Sequence, residues 1–224
     1  MLHTDQMSDS FRIGAVLALV GGFLDAYTYL FRGQVFANAQ TGNIVLMGIQ
    51  FAEGNWSKAF VYFIPIFAFV IGVITDEGIK KHLDGRLSLH WRQIVLLIEM
   101  AGLIIVFLLP LGSGDMIANA MVSFICSLQV QSFRKVHGLP YATTMCTGNL
   151  RSGTNHLSSF LQTKDTLSFI KCLKYYGIIL FFIFGAGIGC VSVKQCGNIS
   201  LLFCFGLLGI AFLMLFVKSK SKEM

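Results

Sequence analysis

The triplet Thr-Gly-Asn occurs twice, as Thr41, Gly42, Asn43 and as Thr147, Gly148, Asn149, each time where a long apolar run stops and a shorter one begins. Glycine lets a chain turn with little steric cost, and a threonine or asparagine oxygen can cap the first amides of a helix. Amides left over at such a helix start, together with the helix dipole, favour an anion or a polar oxygen. In membrane proteins, interrupted helices of this kind are where substrates and ions bind. A single triplet would be an ordinary turn with its cap. The second one, at a matching place, is what points to a site.

Asp25 lies about two-thirds of the way along the first long run, just after Gly21 and Gly22. A carboxylate near the bilayer centre costs about 2.5–3.5 kcal/mol on insertion scales, so it faces the interior with a partner or carries a proton. Two roles fit: the coupling or counter-ion residue of a carrier, or a tie for the first loop through Asn38 or Gln40. Its counterpart in the second half falls at Gln129 or Gln131. Arg151 and His156, on the second short run, either draw anions and share protons with Asp25 or face water. Glu99 is expected to snorkel toward Arg92. The candidate substrate-binding set is therefore Asp25, Asn38, Thr41, Gly42, Asn43, Gln129, Gln131, Thr147, Gly148, Asn149 and Arg151.

No catalytic residue is assigned. Gly112-Ser113-Gly114-Asp115 has the glycine–any–glycine–aspartate form of intramembrane aspartyl proteases, with Asp25 as the second carboxylate of a dyad. Its place between two long apolar runs reads more simply as a tight turn ending in a helix cap. No cysteine–histidine spacing suggests a metal site, and neither metal nor cofactor is expected. Cys190 and Cys196 flank what reads as a short outer loop and are candidates to pair there, although small apolar filler is the simpler reading. Gly185, Gly187 and Gly189 read as a close-packing surface.

These residues sit in a chain of 224, with 55% hydrophobic residues, 12% charged residues and a mean hydropathy of +0.71. A soluble domain carries about 25% charged residues, and a bilayer crossing takes roughly 20 residues of helix. Six long apolar runs qualify: 13–31, 59–74, 94–111, 116–133, 169–191 and 199–217. Two shorter runs, 44–51 and 150–161, each follow a triplet. They do not alternate in polarity as barrel strands must. The fold class is thus all-α: a polytopic membrane protein with six long helices and two short re-entrant or broken ones. With that topology all but Arg32, Lys58 and Lys194 of the 17 Lys and Arg residues fall on one face, which is then cytoplasmic. The net charge of +6 accordingly reflects helix ends and not nucleic acid. The first run, preceded by Asp5 and Asp9, is expected to be a retained helix and not a cleaved signal.

The two halves repeat. A shift of 106 lays Thr41-Gly42-Asn43 on Thr147-Gly148-Asn149, and a shift of 113 lays Lys58, Tyr62 and Gly72 on Lys171, Tyr175 and Gly185. A shift of 105 lays residues 94–97 on 199–202. Such repeats are common in transporter folds. Three crossings per half make the repeats inverted. The expected division is a cytoplasmic tail 1–12, a first membrane repeat 13–113, a second repeat 114–217 and a basic cytoplasmic tail 218–224.

The run Gly21-Gly22-Phe23-Leu24-Asp25-Ala26, then Gly33 and Phe36, then Gln40-Thr41-Gly42-Asn43-Ile44-Val45-Leu46-Met47-Gly48, resembles the YoaK family of bacterial multipass membrane proteins. Gln40 and Cys146 stand where that family favours methionine before the triplet. The resemblance implies the architecture and a bacterial inner-membrane location with both termini cytoplasmic, and no activity. The functional expectation from the residues is a small-molecule transporter or permease with a midplane site between the halves. A passive channel and the aspartyl protease are the alternatives. Its partners are the lipid bilayer and a small molecule or ion, with no nucleic acid; a homo-oligomer is compatible with the sequence.

Overall fold

The computed structural model describes residues 9–83, 89–136 and 138–216. They form α1 (Phe11–Phe31), α2 (Gln40–Ala52), α3 (Trp56–Leu83), α4 (Trp91–Leu108), α5 (Asp115–Ser132), α6 (Cys146–Thr163), α7 (Thr166–Cys196) and α8 (Leu201–Met214). A two-stranded antiparallel ribbon pairs β1 (Lys135–Val136) with β2 (Leu139–Pro140), and a 3-10 turn, Gly197–Ser200, joins α7 to α8. The expected tails 1–12 and 218–224 lie largely or wholly outside the described residues.

Among the described residues, four stretches are long and apolar enough to cross a membrane: Phe11–Phe31, Trp56–Leu83, Trp91–Leu108 and Thr166–Met214, the last spanning α7, the turn and α8. α5 is not among them, although the sequence places a crossing there. It carries Asn119, Ser123, Ser127, Gln129 and Ser132, all buried against protein. A helix wrapped by other helices needs less apolar surface than one that meets lipid. The short helices are longer than expected, because each triplet lies within its helix and not ahead of it. α2 has 13 residues and α6 has 18, or about 20 and 27 Å at 1.5 Å per residue. α7 starts at Thr166 because Asp165 caps it, accepting from the Leu167 and Ser168 amides at 3.1 and 3.0 Å. The Ser168 hydroxyl, followed by those amides, holds the Asp165 carboxyl below the usual carboxylate range. α7 also runs on to Cys196, so Cys190 and Cys196 share one helix and are both free. Six residues of helix rise separate their Cα atoms by about 9 Å, which no disulfide spans.

The packing repeats within the chain. α7 lies on α1 and α3 on α5; α2 lies on α3 and α6 on α7; α4 lies on α5 and α8 on α1. Exchanging α1 with α5, α2 with α6, α3 with α7 and α4 with α8 returns the same set of neighbours. The closest crossings repeat too. A Cβ at Gly185 would stand 2.1 Å from the Leu19 carbonyl oxygen, and one at Gly72 would stand 2.6 Å from that of Phe124. Gly22 makes a third such approach, with a Cβ position 2.0 Å from the Phe182 carbonyl oxygen. Gly187 has open space around it, so the glycine surface of α7 consists of Gly185 and Gly189.

The two ends of the bundle are tied differently. At one end Arg32, fully buried, donates to the carbonyls of Val106, Leu109 and Pro110, to Asn198 and Tyr27, and to Asp115 at 3.1 Å. One guanidinium thus closes the carbonyl end of α4 and joins it to α1, α5 and the 3-10 turn. At the other end Arg92 donates to the Ser132 carbonyl at 2.9 Å and pairs with Asp9 at 3.7 Å, while Arg134 pairs with Glu77 at 3.5 Å.

Substitutions at Gly185 and Arg32, each with a companion variant, test this account. Gly185→Ala forces a methyl onto backbone and is expected to cost about 1–3 kcal/mol, while Gly187→Ala leaves the thermal midpoint in detergent unchanged. Arg32→Leu is expected to cost about 3–5 kcal/mol, as for other buried pairs that lose one partner. Arg32→Lys should recover only part of that loss, since an ammonium cannot reach so many acceptors at once.

Candidate functional site

Gly21 lies halfway along α1, about 15 Å from either end at helical rise. The chain between α1 and α2 and the chain between the ribbon and α6 both return to this level. In the first, the Asn38 amide donates to Asp25 Oδ1 at 2.7 Å and Asn38 Nδ2 donates to the Gly21 carbonyl at 3.1 Å. The amides of Ala37 and Ala39 also act on the Asp25 carboxylate. In the second, the Thr144 methyl abuts Gly21, leaving no room there for a Cβ.

The triplet asparagines do the same job in each half. Asn43 accepts the Phe36 amide at 3.1 Å and donates to the Phe36 carbonyl at 2.8 Å. Asn149 accepts the Ala142 amide at 3.2 Å and donates to the Ala142 carbonyl at 2.6 Å. A side-chain amide thus pairs with the N–H and C=O of one residue just as a neighbouring strand would, and both clamps reach seven residues back. This corrects the expectation that the threonines or asparagines cap the helix amides. The residues before the helices are Ala39 and Met145, and no side chain caps either end. Gly42 and Gly148 are helical, without the positive φ of a sharp turn. Gly42 gives room to Phe36, whose ring a Cβ would meet at 2.9 Å, and Gly148 has open space.

Both returning segments open onto one cavity of ≈ 1040 Å³. Its polar wall comprises Asp25, Asn38, Gln40, Thr41, Thr144, Thr147, Gly148, Asn149 and Ser152, and its apolar wall Tyr29, Leu30, Phe36, Phe69, Phe182 and Ala186. The N-termini of α2 and α6 both face it. Asn38 Oδ1 and Thr144 Oγ1 are buried beside it without a hydrogen-bond partner. Of the residues singled out in the sequence, Asp25, Asn38, Thr41, Thr147, Gly148 and Asn149 line this cavity.

The others do not. Gly42 and Asn43 lie behind its wall. Gln129 donates to Glu99, and Gln131 donates to Glu77, so neither is a counterpart of Asp25. The packing register that matches Leu19 with Phe124 places Val130 opposite Asp25 in the second half, so the first half alone carries the charge. Arg151 is exposed, and His156 stacks on Tyr175 with ring centroids 5.8 Å apart. Glu99 is 2% exposed and does not snorkel. Asp115 is held by Arg32 on the Tyr27 side of α1. Residues 25 and 27 project about 200° apart on a helix, so the carboxylates of Asp25 and Asp115 form no dyad.

Nothing in the sequence marked Tyr29, Phe36 or Phe182 as lining a cavity, because aromatic residues at helical spacing look like core or lipid-facing surface.

A family model described as a protein of unknown function (DUF1275) matches residues 13–214. The chain belongs to that family. The match has the character expected from residues 18–50, an uncharacterised family, though it does not carry the YoaK name. No match was found among curated proteins or solved structures.

If the clamps hold the loops and do not themselves bind a solute, replacing them must change stability without any ligand present. Asn149→Asp keeps the acceptor but sets a carboxylate oxygen against the Ala142 carbonyl. It is expected to destabilise more than Asn149→Ala, itself worth about 1–3 kcal/mol, and Asn43→Asp should follow the same order. Thermal unfolding of the purified variants in detergent reads this directly, and equal midpoints for all of them would remove the clamp role.

Proposed function

We propose that this protein is a small-molecule transporter of the bacterial plasma membrane, with its substrate site in the cavity where the two unwound segments meet. The observation that carries the reading is that two non-helical tips from different halves of the chain line one cavity at mid-height of α1. Irregular backbone at membrane depth is tolerated where it is buried or lines a cavity, and transporters use it to hold solutes.

In this reading residues 13–113 and 114–217 are inverted repeats related by a pseudo-two-fold axis in the membrane plane. The exchange symmetry of the packing and the matched asparagine clamps support that relation. The six long helices cross, α2 and α6 dip in from opposite sides, and the basic end, with both termini, faces the cytoplasm. α1 and α5 form the buried centre, and α3 and α7 carry α2 and α6.

The substrate class follows from the wall. Two uncapped helix N-termini favour negative charge, and the Asp25 carboxylate is already engaged by the amides of residues 37–39. The remaining wall is aromatic and aliphatic, and the volume is that of a metabolite site. A small carboxylate with an apolar body satisfies both parts. Asp25 then serves chiefly to hold the first tip, so Asp25→Asn lowers stability and uptake together.

Gly148 supplies the test, because a side chain there grows into the cavity without striking protein. The purified protein is screened by thermal shift against a panel of small aliphatic and aromatic carboxylates. A ligand at 100 times its Kd stabilises by about 2.7 kcal/mol. Gly148→Leu is expected to keep the ligand-free midpoint and lose that shift, along with saturable uptake of the same compound into proteoliposomes. A shift that persists in Gly148→Leu would place the ligand elsewhere. Uptake that never saturates would favour a passive channel.

A further inference from the structure

Away from the cavity, α3, α4 and α5 enclose a second polar group. Glu99 on α4 is 2% exposed and Gln129 on α5 is 1% exposed. Gln129 Nε2 donates to Glu99 Oε2 at 3.1 Å. The remaining oxygen of each side chain, Glu99 Oε1 and Gln129 Oε1, is buried with no hydrogen-bond partner. Next to this pair, Asp76 of α3 is 1% exposed and accepts from the Ser132 hydroxyl.

The titratable groups facing Glu99 are Asp76 from α3 and Cys126 from α5, with Asp25 of α1 and Cys204 of α8 on the far side of Cys126. The cations Arg134 and Lys80 act on Asp76. An ionised Glu99 would therefore sit in the core with one neutral donor and a second carboxylate nearby, which is a costly burial.

One proton resolves both the charge and the unpartnered oxygens. Placed on Glu99 Oε1, it removes the charge and supplies a donor, and Gln129 Oε1 is an unpartnered acceptor on the residue already bonded to Glu99. Two free oxygens are too few for a metal ion, since a hard cation takes about six. We infer that Glu99 and Gln129 form a buried proton-binding site, with Asp76, which accepts from Ser132, as the neighbouring carboxylate on the side of the basic end. The only bond made is the O–H on Glu99. Its proton comes from water at the exposed Glu77–Arg134 end and returns there. Resting on the transport reading, the exchangeable proton of the carrier then resides at Glu99 and not at Asp25.

Infrared spectroscopy of the protein reconstituted in lipid tests the site without any substrate. A carbonyl stretch of a protonated carboxylic acid is expected at neutral pH, with the intensity of one group. It should vanish in Glu99→Gln and move to the position of an acid without an amide partner in Gln129→Leu. Should Glu99→Gln fail to fold, the shift in Gln129→Leu decides the matter. Absence of the band from the unaltered protein, its survival in Glu99→Gln, or its loss in Asp76→Asn alone overturns the assignment. So does its disappearance when sodium replaces potassium at constant pH, which would show a metal cation in the proton's place. None of these outcomes touches the ligand-induced shift assigned to Gly148, so the two readings fail separately.

Discussion

Every peptide group that leaves a helix inside the bundle must find a hydrogen-bond partner there, and this constraint organises the molecule. A buried unpaired amide or carbonyl costs about 1–3 kcal/mol even by the modest protein scale, and two segments are unwound at mid-height. Asn43 and Asn149 meet part of that demand by pairing with both backbone groups of Phe36 and of Ala142. The rest is met differently in the two halves. The first segment takes side chains from two helices: Asp25 holds the Asn38 amide, Ser123 donates to the Ala37 carbonyl, and Asn119 donates to the Arg32 carbonyl. The second relies on its own ribbon, closed by the Tyr141 amide on the Arg134 carbonyl, and on Tyr175, which donates to the Pro140 carbonyl. The first half therefore needs a charged residue where the second has Val130.

That asymmetry sits on a symmetric frame. The glycines at the α1–α7 and α3–α5 crossings bring backbones close enough that main chain meets main chain, an arrangement common in membrane helices because small residues let helices approach. Tight crossings fix the heights of α3 and α7, and α2 and α6 ride on those helices. The cavity is thus positioned by the packing at these crossings, and its polar wall by the clamps. Arg32 performs the closing step at one end, where the last carbonyls of α4 would otherwise lack donors.

Much of this frame was legible in the residues. Helical type and apolar length showed in composition, and the repeat showed in the paired triplets, because a clamp that reaches seven residues back needs asparagine at a fixed place in each half. What the asparagine does was not legible, since capping and clamping use the same atoms and differ only in which peptide they reach. Helix limits moved outward for a related reason: Asp165 and the polar first turns of α2 and α6 are compatible with helix, yet they interrupt hydropathy. α5 illustrates the opposite case, where a run read as apolar carries a buried polar row, because it is surrounded by other helices.

Buried charge was the least legible feature. Arg32 looked like an ordinary flanking cation, Asp76 drew no notice in its long helix, and Glu99 read as a snorkelling residue. Each acquires its role from a partner more than 30 residues away or on another helix: Asp115 and Asn198 for Arg32, Ser132 for Asp76, Gln129 for Glu99. Periodicity along one helix cannot reveal such pairs, because it fixes a face and leaves open what lies opposite. Their arrangement separates two tasks that the sequence had assigned to Asp25 alone. Asp25 is committed to the backbone amides that hold the first tip. Glu99 has an amide partner and a spare oxygen, and it can change protonation without unfastening a loop. In the transport reading proposed above, the cavity wall would stay fixed while charge changes elsewhere in the same helical core.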